Sequence, residues 1–208
     1  MQDLFQLSFS RLIVEDNVAQ GITLSDESLI LFRDLDHIPG ITRALNVLGE
    51  LSRIFGDYQR AEIAYQECLE LSRQTGDKGR VAISLANLAS IAIHHGDYAR
   101  ADVLGRETLE IAVELGSKHK IGYILACLSG PLAIQGRPVK AAMLLGASES
   151  ILQTLGVKIQ PADQIEIDRY IITIHEQLDE RSVNEALAEG RKMSLDQAVS
   201  FALDELAS

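Results

Sequence analysis

Glycine recurs in this chain in two interleaved forty-residue registers, Gly56, Gly96 and Gly136 in one and Gly76, Gly116 and Gly156 in the other. A reaction centre has no reason to repeat at a fixed interval, whereas a structural unit that stacks on copies of itself does. Each of these glycines follows an apolar stretch of helical spacing, where a helix ends in a left-handed residue that only Gly adopts without strain. Two such stops per period predict two helices per repeat.

Other positions keep the same register. Leu45, Leu85 and Leu125 align, as do Leu48, Leu88 and Leu128, the small residues Gly49, Ala89 and Ser129, and in the second helices Ala61, Ala101 and Ala141. Leucines three apart form a stripe that fills the space between helices, and small residues let the helices approach closely. The segments IFGDYQRAEIAY and HHGDYARADVLG carry the turn: Gly ends one helix, Asp57 or Asp97 caps the next, and the tyrosine packs back over the turn.

The expected helices are residues 41–55 and 58–75, 80–95 and 98–115, and 119–135 and 138–155. They make repeats at 41–76, 81–116 and 121–156. Upstream, SDESLILFRDLDH has Ser25 as an expected N-cap and sets Asp36 in register with Gly76, so residues 1–36 read as a degenerate earlier copy with its first helix at 2–15. An array that starts inside a repeat exposes an apolar end unless something covers it, so the chain reads as the tail of a longer one. After Gly156 the period fails. Residues 158–208 read as a C-terminal helical cap, with a helix from Pro161 and two Ser-x-x-Glu/Gln capping boxes, Ser182/Glu185 and Ser194/Gln197. The fold class is therefore all-α: a superhelical solenoid of antiparallel helix hairpins spanning 1–157, then the cap.

Composition narrows the function. Trp is absent and aromatics are 5% of the chain, so the core is aliphatic and suited to helices. A formal charge of −11 repels phosphate backbones, which disfavours direct nucleic-acid binding. From Pro161 onward four basic residues face eleven acidic ones, so much of that charge lies in the closing segment. Cys68 and Cys127 make neither a disulfide framework nor a zinc cluster, and a reducing cytoplasm is expected. The weakly polar run at 121–134 is too short for a bilayer and contains Gly130 and Pro131, so no membrane association is expected.

The stretch RALNVLGELSRIFGDYQRAEIAYQECLEL resembles the tetratricopeptide repeat in an extended form, and SLANLASIAIHHGDYARADVLGRETLEIA keeps the same signature. The third copy replaces Asp-Tyr with Arg137-Pro138. Its continuation QGRPVKAAMLLGASESILQTLG, followed by ALAEGRKMSLDQAVSFALDE, resembles the closing segment of bacterial multidomain STAND-type ATPase and transcription regulators. The resemblance implies a place in signal transduction or transcription regulation. No G-x-x-x-x-G-K-[ST] phosphate loop occurs in these residues.

Candidate chemistry is sparse. His94 and His95 are adjacent on one helix and diverge by about 100°, so they read as cations at a helix C-terminus rather than metal ligands. Cys127 and His119 sit about 12 Å apart along a continuous helix and cannot act as a nucleophile pair. Pro131 within a helix reads as a curvature device. No catalytic residue, cofactor or metal site is expected, and the chain reads as a non-enzyme.

The resemblance to tetratricopeptide repeats implies a concave groove lined by Arg43, Asn46, Glu50 and Arg53 in the first copy, Ile83, Asn87, Ser90 and His94 in the second, and Tyr123, Cys127 and Gly130 in the third. Asn46 and Asn87 can each donate to and accept from a peptide backbone. Ala86, Ala126 and Ser90 stand where chaperone-cofactor repeats carry carboxylate-clamping cations, which disfavours chaperone-tail binding. Two readings stay open: a module that binds a partner protein, its own switch domain or a second copy, and an effector sensor that closes on a peptide or small metabolite to control an upstream ATPase.

Overall fold

The computed structural model describes the backbone of residues 2–159 and 161–205, and the side chains of 17–159, 164 and 167–205. The described residues form ten helices and no strand. They are α1 (Gln2–Asp34), α2 (Ile38–Phe55), α3 (Tyr58–Thr75), α4 (Lys78–His94), α5 (Tyr98–Glu114), α6 (Lys118–Ile134), α7 (Pro138–Leu155), α8 (Pro161–Gln177), α9 (Glu180–Arg191) and α10 (Leu195–Glu205). The chain divides into two compact units, residues 1–84 and 85–208, with the division inside α4.

All six register glycines have positive φ, between 60° and 92°, at the ends of their helices. The next helix starts within two residues because its cap is ready: Asp57 accepts from the Arg60 N–H at 3.0 Å, and Asp97 from the Arg100 N–H at 3.1 Å. Both side chains satisfy donors that the helix itself leaves open.

In the first unit α1 packs on α2 and α2 on α3, around Leu29, Ile41, Ala44, Leu45, Leu48, Ala64 and Cys68. Gly49 admits the Tyr65 ring: a Cβ on Gly49 would stand 2.5 Å from Tyr65 Cε1. The degenerate hairpin expected at 1–36 is instead one continuous helix. Asp16 occupies the register position of Gly56, Gly96 and Gly136, so no left-handed stop interrupts the chain there. Ser25 is accordingly not a cap; its Oγ donates to the Gly21 carbonyl inside the helix at 2.8 Å. The stop at the other register position survives without glycine, since Asp36 takes a φ of 49°. Asp tolerates that region better than most side chains. His37 then caps α2, its Nδ1 accepting from the Gly40 N–H.

In the second unit α5, α6 and α7 pack consecutively, and α8, α9 and α10 close around α6 and α7. Leu109, Leu125, Leu132, Leu144, Ile174 and Ala198 are among the buried residues of its core. Where α9 crosses α7, Gly146 lies against the Leu187 backbone and Gly190 against the Met143 backbone. The capping box expected at Ser182/Glu185 does not form. Asp179 starts α9 three residues earlier, accepting from the Ser182 N–H at 2.9 Å, while Glu185 pairs with Arg181. The box at Ser194/Gln197 does form: Gln197 Oε1 accepts from the Ser194 N–H at 2.9 Å and Ser194 Oγ accepts from the Gln197 N–H at 3.2 Å.

The replacement of Asp-Tyr by Arg137-Pro138 acquires a structural role here. Pro138 opens α7, where a missing N–H costs nothing. Arg137 donates to the Glu205 carbonyl at 3.0 Å and pairs with its carboxylate, which Lys140 also contacts at 2.7 Å. Arg106 donates to the Leu203 carbonyl at 2.9 Å. Basic side chains thus serve the open carbonyls at the end of α10.

Candidate partner-binding surface

In the first unit, the inward stripe of α2 carries Ile41, Ala44, Leu45 and Leu48, all buried. Arg43 is exposed, while Asn46, Glu50 and Arg53 are half-buried. Their spacing of three and four residues places them along one side of the helix. This stripe is polar and charged. Ile83, on the part of α4 belonging to this unit, is 39% exposed.

In the second unit, Asn87 and Ser90 of α4 are half-buried and His94 is exposed. Ser90 turns its hydroxyl inward, donating to the Ala86 carbonyl at 3.3 Å. The His94 and His95 rings lie 5.7 Å apart and tilted by 58°. On α6, Tyr123 and Cys127 are half-buried. Ser90 and Cys127 come together at one cavity, which Ala86, Ile93, Gly105, Ile124 and Pro131 also line; its volume is about 20 Å³. The hydroxyl of Thr108 in the same wall is spent on Leu104, at 2.7 Å. The cavity is therefore apolar, with room for about one water molecule and without the two to four polar partners a water needs.

Gly130 does not line an open groove. A Cβ there would meet the Tyr170 ring at 2.5 Å, because α8 lies over this stripe of α6. Gln177 of α8 donates to the Ala133 carbonyl of α6 at 2.8 Å. Tyr170 lies one forty-residue interval beyond Gly130, but the glycine and leucine signature of the repeat has lapsed there. The sequence signal was local: Ile167, Tyr170, Ile171 and Ile174 recur at helical spacing, and all are buried or half-buried.

A wider cleft of about 490 Å³ runs between α7, α8 and the segment joining them, past Leu145, Leu152, Val157, Gln164 and Ile171. None of the expected groove residues lines it. Among the described residues no group of three or more His, Cys, Asp or Glu side chains is placed to hold a metal ion. No described helix is long and apolar enough to cross a membrane.

Compared with protein families, residues 40–114 match the one described as Tetratricopeptide repeat, which supports a tetratricopeptide repeat domain over that part of the chain. Such repeats generally mediate protein–protein interaction and are typically not catalytic. A comparison with curated proteins finds no match.

Proposed function

We propose that this protein is a recognition module that binds a partner protein through the inner stripes of its repeat helices, with Asn87 and Ser90 the contacts in the second unit and Asn46 the contact in the first unit's own stripe. One observation carries the reading. The cavity between α4 and α6 in the second unit has a volume of about 20 Å³, against about 300–1,000 Å³ for small-molecule sites. A surface of this kind binds by area, through many weak contacts added together, and not by enclosure. This favours a partner surface over a small-metabolite site between α4 and α6; the cleft of about 490 Å³ beside α7 and α8 lies away from the expected groove residues.

The place of the module is inside a larger cytoplasmic signalling or transcription regulator, with residues 1–157 as the repeat array and 158–208 as its cap. The closing segments QGRPVKAAMLLGASESILQTLG and ALAEGRKMSLDQAVSFALDE support that reading through their resemblance to regulator C-termini. A nucleotide-binding domain in the same encoded reading frame is the expected finding, and a frame without one refutes the regulator context. The binding role is tested by affinity capture from the source cells, comparing the wild type with Ser90→Arg and with Glu110→Arg at an exposed position of α5. A partner retained by the Glu110 variant and lost by the Ser90 variant supports it. An unchanged set of captured proteins refutes it.

A further inference from the structure

Second helices pack on their own first helix through the same three register positions. In α3 these are Ala64, Cys68 and Leu71, which join the core shared with Leu45 and Leu48 of α2, and the Cys68 thiol donates to the Thr42 carbonyl at 3.3 Å. In α7 they are Leu144, Ser148 and Ile151: the Ser148 hydroxyl donates to the Gly122 carbonyl of α6 at 2.6 Å, and a Cβ on Gly122 would meet Ile151 Cγ2 at 3.1 Å. Helix α1 carries Leu24, Ser28 and Leu31 at these positions. Its next-facing side is occupied, since Ile22, Leu29 and Phe32 pack into the core with α2, but Leu24 and Leu31 are each 62% exposed. Among the described residues no first helix covers them, so the seat is open.

The chain itself carries a segment that fits this seat. Shifted back by forty, the buried α2 positions Ile41, Ala44, Leu45, Gly49 and Ser52 become Met1, Leu4, Phe5, Phe9 and Leu12, and of that stripe only Leu48 gives way to a polar residue, Ser8. Sizes complement as well: Gly49 of α2 admits the Tyr65 ring of α3, while forty residues earlier the same two positions hold Phe9 and Ser25, so the large partner has changed sides. Residues 2–12 cannot reach the seat of their own chain, because α1 runs unbroken from Gln2 to Asp34. We propose that they fill the seat of a second copy: two α1 helices lie antiparallel about a two-fold axis near Asp16, each giving the other the first helix it lacks. The contacts of the closed hairpins fix the axis. Moved to this copy, Cys68 on Thr42 becomes Ser28 on Gln2, and Ile151 on Gly122 becomes Leu31 on Gln2, and the midpoint of these pairs falls beside Asp16, where a hairpin would turn. Exchange of an identical element keeps the packing of a closed hairpin, and the interface closes at two chains. This surface is separate from the inner stripes, and its occupation does not depend on what they bind.

Sedimentation of the intact chain over a dilution series is expected to show twice the monomer mass. Each substitution strikes both halves of a two-fold interface, so Leu31→Glu is expected to raise the dimer dissociation constant about a hundredfold, with the circular dichroism unchanged because the side chain is exposed within one chain. Leu24→Glu should act the same way. Asp16→Gly with Asn17→Asp restores the Gly-Asp turn of the other repeats and is expected to close the hairpin within one chain, giving a monomer of wild-type helicity. In that closed form Leu31 is buried, so adding Leu31→Glu should lower its denaturation midpoint. The inference is overturned if the wild type is a monomer throughout the series, if Leu24→Glu and Leu31→Glu leave the dimer intact, or if the variant with the restored turn remains a dimer or is indifferent to Leu31→Glu.

Discussion

Replacing Gly190 with Ala adds one methyl group at the crossing of α7 and α9, and the geometry leaves it no room. The new Cβ would stand 2.0 Å from the Met143 carbonyl oxygen, 2.8 Å from its carbon and 3.0 Å from the Ala147 nitrogen. All three atoms are backbone, so no side chain can turn aside. A carbon–oxygen contact relaxes at about 3.3 Å, so the helices must part by about 1.3 Å. A gap of about 0.5–1 Å already forfeits a quarter to a half of the dispersion energy across an interface, and Val183 and Ala186 of α9 are buried, at 3% and 5% exposure. The cost therefore falls at the upper end of the roughly 1–3 kcal/mol of an overpacked core. Alanine offsets at most about 1 kcal/mol through helix propensity, less at this penultimate position of α9. The expected net loss is about 2 kcal/mol. Urea denaturation followed by circular dichroism measures it, and amide exchange of α9 locates it. Gly105→Ala is the comparison, because its Cβ meets only the Leu128 Cδ2 tip at 2.5 Å and a rotamer change can relieve it. Gly146→Ala, 2.2 Å from the Leu187 carbonyl, is expected to resemble Gly190→Ala. The double variant should lose less than the two single losses together, since one parting relieves both clashes. A Gly190→Ala protein as stable as the wild type refutes the close crossing.

Asp36→Gly is expected to change the stability of the first unit little: relief of a left-handed Asp is worth less than the roughly 1–2 kcal/mol of an ordinary residue and is offset by about 0.4–1 kcal/mol for the added freedom of the unfolded chain, so a shift of more than about 1 kcal/mol either way would contradict this. Arg137→Ala leaves the Glu205 carboxylate, 11% exposed, with Lys140 alone; a loss of about 1.5–3 kcal/mol is expected, with α10 amides exchanging first. The Ser182 N–H, and then its hydroxyl, hold the Asp179 carboxyl below the usual carboxylate value. A depressed folded pKa means a stabilisation present above the unfolded value and lost as pH falls through the folded one. Protection of α9 should therefore decline in acid, and Asp179→Asn, which keeps an accepting oxygen, should flatten that decline; an unchanged acid profile would show that the cap does not matter.

The helices of the central repeats were legible to within about three residues because their ends are set locally. A glycine that must go left-handed, and an aspartate that caps the next turn, act over four or five residues and need no knowledge of the fold. The same locality explains the failures. Ser182-x-x-Glu185 matches a capping box, but Asp179 competes for the same N–H group and starts the helix earlier. Ser25 also looked like a start, yet nothing at Asp16 stops the helix that contains it. Of the groove residues, Gly130 was misplaced because its cover comes from forty residues further along the chain, at Tyr170.

Sequence alone decided that this chain is helical, that its helices come in pairs every forty residues, and which leucines and alanines turn inward, because backbone stops and periodic burial are properties of short stretches. Tertiary structure decided which surfaces stay open. The seat of α8 on α6, the glycine crossing of α7 with α9 and the basic hold on the end of α10 each join residues from different helices that the repeat signature does not mark. Such contacts depend on shape complementarity at close range, where a single methyl group matters and spacing along the chain carries no record of it.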